Sequence, residues 1–166
     1  MYYSKHNQMP AGSIIKAIAL CAILCAVASF ARAANSPQLG TWKLNESKSK
    51  LAPAAGKNQT VVYEAAGDQM KVTVDGVDAA GKPSHSTWKG KFDGKDYAVK
   101  GDPTSDTRAY TTVNEHTLSM TVKKAGKVTT TGKVEVAADG KIRTVTIKGT
   151  DAKGKKFKSK AVYDRQ

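Results

Sequence analysis

Cysteine is nearly missing from this chain of 166 residues, which contains two, Cys21 and Cys25. Both lie in an apolar N-terminal stretch, and each follows a leucine instead of the small residue that precedes an acylated lipoprotein cysteine. If that stretch is removed, the rest of the chain can form no disulfide. It also offers no thiolate metal site and no cysteine nucleophile.

Acidic residues are scarce as well. The chain has 14 Asp and Glu against 27 Lys and Arg, for a formal net charge of +13. The lysines are spread along the sequence, so one interpretation is a solvated basic surface. The other is attraction to an anionic envelope surface, whether lipid or acidic polysaccharide, or non-specifically to nucleic acid. No nucleic-acid-binding motif is present, so we expect no specific nucleic-acid partner.

Motifs for catalysis and metal binding are also lacking. His85 and His116 are the histidines beyond the N-terminal stretch, and neither has the Cys or carboxylate spacing of a metal site. We interpret both as surface residues. There is no Gly-x-Ser-x-Gly elbow, and the aspartates near glycines lack the spacing of a calcium loop. The sequence therefore predicts no enzyme, no catalytic residue, no metal and no cofactor.

The N-terminal stretch has the three parts of a secretory signal peptide. Lys5 and Lys16 supply positive charge, residues 17–30 are apolar, and Ala31-Arg32-Ala33 forms a cleavage site. The apolar run is shorter than the ~20 residues that a spanning helix needs, although an uncleaved anchor is the alternative. We predict a signal peptide over 1–33 and one exported domain over 34–166, periplasmic or extracellular. Secretion without disulfides fits bacterial export.

The rest of the chain alternates apolar and polar residues between glycine turns. Met70, Val72 and Val74, for example, alternate with polar neighbours, and Asp93-Gly94 predicts a two-residue hairpin turn. About ten such segments follow the signal helix, while residues 46–58 form a loop with at most one helical turn. This predicts an all-β fold, an antiparallel up-and-down β-barrel of about eight to ten strands. A closed barrel is favoured over a sandwich because it leaves no free strand edge.

Two segments repeat each other. Residues 72–82 match residues 145–155 at a constant offset, which puts Arg143 in the place of Met70 and Ala161 in the place of Trp88. If the repeat is real, Arg143 lies on an apolar face, where an unpaired charge is costly. The alternative is that hairpins with Asp/Gly turns converge on similar strings.

The two ends of the domain resemble a known superfamily. Gly40-Thr41-Trp42-Lys43-Leu44 resembles the opening of the calycins, the lipocalins and fatty-acid-binding proteins, and residues 161–165 resemble the last strand of fatty-acid-binding proteins. The whole chain is similar to small exported lipocalin-like proteins of bacteria that have no assigned function.

This resemblance implies a barrel with an interior ligand cavity. It also implies barrel closure by Gly40 and Trp42, with a late basic residue over the tryptophan. Arg165 is the best candidate for that residue and Lys160 the second. Two family features are missing. The loop leaves no room for a helical lid, and Ala161 replaces the arginine of the final-strand Arg-x-Tyr motif.

A lipocalin-like barrel predicts a set of inward-facing residues that contact a small apolar or amphipathic ligand. The polar candidates could orient an anionic group, although Arg108 could instead be solvated on the outer face and Arg143 could extend to the rim. The apolar candidates could equally fill a solid core. A filled barrel would leave a basic-surfaced module that binds anionic polymer, lipid headgroups or a protein. In either case we expect a monomer. The cavity candidates are Trp42, Met70, Trp88, Phe92, Arg108, Tyr110, Met120, Arg143, Phe157 and Tyr163.

Overall fold

A computed structural model describes residues 36–151 and 153–166. These residues form ten β-strands and two single turns of 3-10 helix, Glu46–Lys48 and Pro53–Ala55. The strands are β1 (Gly40–Leu44), β2 (Lys57–Ala66), β3 (Gln69–Val77), β4 (Pro83–Gly90), β5 (Tyr97–Lys100), β6 (Thr107–Asn114), β7 (Thr117–Lys124), β8 (Lys127–Val136), β9 (Ile142–Thr150) and β10 (Lys156–Arg165).

The strands close into one antiparallel barrel. Each strand pairs with its neighbours in sequence, and β1 pairs with β10 to complete the ring. The closing register places Trp42 opposite Arg165 and Leu44 opposite Tyr163. The predicted all-β, up-and-down barrel is therefore confirmed. Closure pairs the backbone groups of both terminal strands, which would otherwise be exposed edges.

Alternation along the strands separates an inner from an outer face. On β3, Met70, Val72 and Val74 are buried, while Lys71 and Asp75 are exposed. The same period of two on the other strands directs one row of side chains into the barrel. These rows form a core that includes Trp42, Val61, Tyr63, Met70, Val72, Val74, Trp88, Tyr110, Leu118, Val134, Val136 and Tyr163.

The repeated segments form equivalent hairpins. Val72 pairs with Trp88 between β3 and β4, and Val145 pairs with Ala161 at the matching position between β9 and β10. The turns also agree, because Asp78 and Asp151 each accept hydrogen bonds from two backbone amides of their own turn. Arg143 consequently faces inward, as Met70 does.

The two-residue turn predicted at Asp93-Gly94 is wrong. Strand β4 ends at Gly90 and β5 begins at Tyr97, so the connection is longer. Asp93 organises it by accepting hydrogen bonds from the Lys95 amide at 3.1 Å and the Tyr97 hydroxyl at 3.0 Å. The backbone of this connection then pairs with β6 through Gly94 and Thr112. Tertiary pairing, not local turn preference, sets its length.

Among the described residues, no helix is long and apolar enough to cross a membrane. The predicted signal peptide over 1–33 lies outside the described residues.

Candidate functional site

One end of the barrel is closed by Trp42. The side chain is fully buried, and its Nε1 donates a hydrogen bond to the Gln38 carbonyl at 2.9 Å. The Arg165 guanidinium lies 4.8 Å from the ring centroid and donates hydrogen bonds to the carbonyls of Pro37 and Leu39. This is the contact predicted for Arg165, and it stabilises the seam between β1 and β10. Lys160, the second candidate, is instead exposed.

An aromatic group centred on Trp88 lies on the inner faces of β4 to β6. Its indole contacts Tyr110 and Tyr97 edge to face, with centroids 5.0 and 5.8 Å away, and stacks on Phe92 at 6.2 Å. The Trp88 Nε1 donates to the Arg108 carbonyl at 2.9 Å. These contacts fix the β6 backbone from which Arg108 and Tyr110 project.

Arg143 is buried in the barrel interior, with 3% of its surface exposed. Its Nη2 donates to the Tyr63 hydroxyl at 2.7 Å, across the barrel from β9 to β2. Its guanidinium carbon also lies 4.8 Å from the centroid of the Tyr63 ring and 5.4 Å from that of Tyr163. The rim position considered for Arg143 is therefore wrong. Position 143 corresponds to Met70 in the first copy of the repeat. The second copy therefore has a charged side chain where the first copy has an apolar one.

Arg108 also points inward, and the outer-face position considered for it is wrong. Its side chain is 13% exposed, and its Nη2 lies 3.7 Å from Oδ2 of Asp102. Asp102 accepts shorter hydrogen bonds within its own loop, from the Thr104 amide at 2.8 Å and from the hydroxyls of Thr104 and Ser105 at 2.7 and 2.8 Å. The carboxylate is therefore held mainly by its loop and compensates Arg108 only in part.

The buried tyrosines Tyr63, Tyr110 and Tyr163 have pKa values that are shifted in opposite directions, because burial raises each pKa and the arginine charges lower it. Burial raises the pKa of Tyr63 and of Tyr163, and the arginine charges only partly oppose that rise. At Tyr110 burial acts in the same direction, but the charges of Arg108 and Arg143 and hydrogen bonding with Tyr63 and Arg108 outweigh it, so its pKa is lowered. The positive charge of the two guanidinium groups therefore outweighs burial at Tyr110 alone among these three tyrosines.

We call Tyr63, Arg108, Tyr110, Arg143 and Tyr163 the arginine–tyrosine cluster. Its two guanidinium groups remain protonated at any ordinary pH. The buried Nε atoms of Arg108 and Arg143 have no hydrogen-bond partner among the described residues. Buried donors without partners are costly, and protein interiors rarely keep them. The cluster therefore contains two guanidinium donors that the described part of the chain leaves unpaired.

The inner face is not filled along its whole length. Leu44, Val99, Met120, Val145 and Ala161 pack against the core but remain partly exposed. The strand register places them on the inner face, since Leu44 pairs with Tyr163 and Val99 with Trp88. These residues form an apolar wall beside the arginine–tyrosine cluster.

The predicted site residues fall into three groups. Arg108, Tyr110, Arg143 and Tyr163 are brought together in the cluster. Met70, Trp88, Phe92 and Met120 belong to the core and wall around it. The outliers are Trp42, at the closed end, and Phe157, at the opposite end of β10.

Sequence reasoning missed two members of the site. Tyr63 was not among the predicted site residues. A buried tyrosine hydroxyl needs a hydrogen-bond partner, which was a usable signal. Asp102 lies in a polar turn six residues before Arg108, and no sequence pattern links the two. The structure also places Arg143 directly opposite Tyr163 on the adjacent strand. The last strand therefore has a neighbouring arginine although Ala161 occupies the expected position.

No group of three or more His, Cys, Asp or Glu side chains suited to a metal occurs within 36–151 and 153–166. No protein-family model matches the chain, and no curated protein matches it.

Proposed function

We propose that this protein is an exported, non-enzymatic carrier that holds a small amphipathic anion inside its barrel. The observation that carries the proposal is the pair of inward-facing arginines, Arg108 and Arg143, whose Nε atoms have no partner among the described residues. A carboxylate or similar oxyanion is the ligand group that best matches guanidinium donors.

The shape of the interior supports an amphipathic ligand over a simple inorganic ion. The partly exposed wall of Leu44, Val99, Met120, Val145 and Ala161 offers apolar contact to a hydrocarbon chain or ring. The positive charge that faces the interior comes from the two arginines of the cluster, while the wall is uncharged. Ligand pockets commonly combine an apolar lining with a few placed polar groups. The ligand would therefore place its anionic head at the cluster and its apolar part along the wall.

A binding role fits the chemistry of the cluster better than catalysis does. The guanidinium groups donate hydrogen bonds but do not exchange protons at physiological pH. Tyr63 and Tyr163 contact Arg143, and Tyr63 and Tyr110 share a hydrogen bond. Such groups orient an anion without activating a nucleophile. We therefore infer a calycin-like binding protein, acting as a monomer in the periplasm or outside the cell.

The proposal is tested by native mass spectrometry of protein purified from its source. We expect a co-purifying anionic small molecule in the natural protein and none in the Arg108→Met/Arg143→Met double variant. Lys141→Met, which removes an exposed charge just before β9, is the matched control and should retain the ligand. Retention of the same molecule by the double variant would contradict the assigned site. A natural protein that carries no ligand, even after incubation with a lipid extract, would contradict the function.

A further inference from the structure

Four exposed lysines lie on the outer faces of β9 and β10, and a fifth, Lys50, lies in the segment that pairs with β10. Lys148 on β9 is directly opposite Lys158 on β10, and Lys160 is paired with Lys50 through two backbone hydrogen bonds of 2.7 and 2.8 Å. Lys156 continues the row on β10. No ion pair to any of the five occurs among the described residues, although nine ion pairs form elsewhere in that part of the chain. We call these residues the β10 lysine row.

The repeat supplies an internal comparison. Lys148 and Lys158 correspond to Asp75 and His85, which also lie directly opposite each other. In the first hairpin that pair is joined by a hydrogen bond, with His85 Nδ1 2.6 Å from Asp75 Oδ1. In the second hairpin the same geometry holds two positive charges. Like charges directly opposite each other on a sheet are destabilising, so fold stability does not explain them.

A groove with a volume of about 480 Å³ crosses this region, over the first residues of β8, the last of β9 and the first of β10. Its charged lining is Lys148, Lys156 and Lys158, and its other polar groups are the hydroxyls of four threonines. Phe157 alternates with Lys156 and Lys158 on β10, so its ring lies on the inner side of the sheet, where a Cβ at position 149 would come within 2.9 Å of it. None of the arginine–tyrosine cluster lines this groove.

We propose that the groove and the β10 lysine row bind one chain of an acidic polysaccharide. Alternate residues on a strand are roughly 7 Å apart, so a single extended polymer can contact several lysines in succession. The threonine hydroxyls beside these lysines suit the hydroxyls of a sugar chain. A bilayer fits less well, because the lining lacks the Trp and Tyr side chains typical of membrane interfaces. Single-stranded nucleic acid needs several stacking rings, and the outer faces of β9 and β10 carry none.

The test measures how strongly the protein is retained at low salt on two immobilised polymers. One is polygalacturonate, and the other is the same polymer after complete methyl esterification. We expect binding to the acid form that weakens as salt is raised, and at least tenfold weaker binding to the ester. The Lys148→Gln/Lys156→Gln/Lys158→Gln variant should lose about tenfold in affinity, since three exposed ion pairs contribute roughly twofold each. Its melting temperature should be unchanged or higher, because a like-charge pair is removed.

A matched control removes three exposed lysines away from the groove, by Lys82→Gln/Lys89→Gln/Lys95→Gln, and should change the affinity less than twofold. If the groove variant does not fold, the single Lys158→Gln variant replaces it, with an expected loss of about twofold. Equal losses in the groove and control variants would overturn the proposal. Tighter binding to phosphatidylglycerol vesicles or to single-stranded DNA than to polygalacturonate would also overturn it. The internal carrier function is untouched by either result, because it uses other residues.

Discussion

Replacing Arg143 by methionine is expected to stabilise the protein while abolishing its ligand binding. Arg143 is 3% exposed and has no carboxylate within ion-pair distance among the described residues. Moving such a charge into an interior costs about 5 kcal/mol. The hydrogen bond to Tyr63 offsets roughly 2 kcal/mol of that cost, and the two ring contacts offset about 0.75 kcal/mol each. About 1 to 2 kcal/mol of net cost remains.

Methionine removes that cost and keeps a side chain of similar length, and the repeat already has methionine at the equivalent position, Met70. The free energy of unfolding should therefore rise by about 1 to 2 kcal/mol, which raises the melting temperature by about 5 °C. Urea denaturation and calorimetry of the ligand-free protein measure both quantities. The exposed change Lys141→Met, in the turn just before the same strand, controls for charge removal and should stay within about 0.5 kcal/mol.

A loss of more than about 2 kcal/mol in the Arg143→Met variant would refute this reasoning. It would mean that Arg143 stabilises the empty barrel, so that no ligand is needed to explain a buried charge. A stabilised variant that still binds its ligand would refute the assignment of Arg143 to the site, while leaving the estimate of the burial cost intact.

Three further predictions concern the rest of the barrel. Trp42→Ala should lower the free energy of unfolding by roughly 3–5 kcal/mol in urea denaturation, because it removes a fully buried side chain at the closed end; an unchanged curve would exclude Trp42 as the plug. Ala125→Gly should raise it by about 0.5–1 kcal/mol, because Ala125 has a φ of 49° in its two-residue turn; a loss would show that this backbone is not strained. An alkaline absorbance titration should show one tyrosine ionising below its ordinary pKa, and Tyr110→Phe should remove that step; a first ionisation at the ordinary value would contradict the positive interior.

Local sequence patterns predicted the barrel because each strand carries its own signal. Period-two alternation, as at Met70, Val72 and Val74, records which face is buried, and glycines mark most of the turns. The contact of Trp42 with Arg165 was predicted from a resemblance that covers both ends of the chain. The connection at Asp93-Gly94 was mispredicted because pairing with β6 outweighs the local turn preference.

The site was predicted in part. Arg108, Tyr110, Arg143 and Tyr163 were identified as inward candidates, but strand register alone brings Arg143 beside Tyr163 and across from Tyr63. A single sequence contains no record of that register. The burial of Arg108 was equally hidden, since an arginine on a threonine-rich strand is typical of a solvated face. The repeat was the one signal for the inward direction of Arg143, and the matching hairpin registers show that it was a sound one.

The most direct test of the internal site is calorimetric titration of residues 34–166, the predicted exported domain, with two ligands of equal chain length, a long-chain carboxylate and its alcohol. The account predicts that the carboxylate binds at least about tenfold more tightly, since a charge-assisted bond to a buried guanidinium contributes roughly 1.5–3 kcal/mol. The difference should disappear in the Arg143→Met variant, whose barrel keeps the apolar wall. Equal affinities for acid and alcohol in the natural protein, or no binding of either, would contradict the claim that the arginine–tyrosine cluster is an anion site.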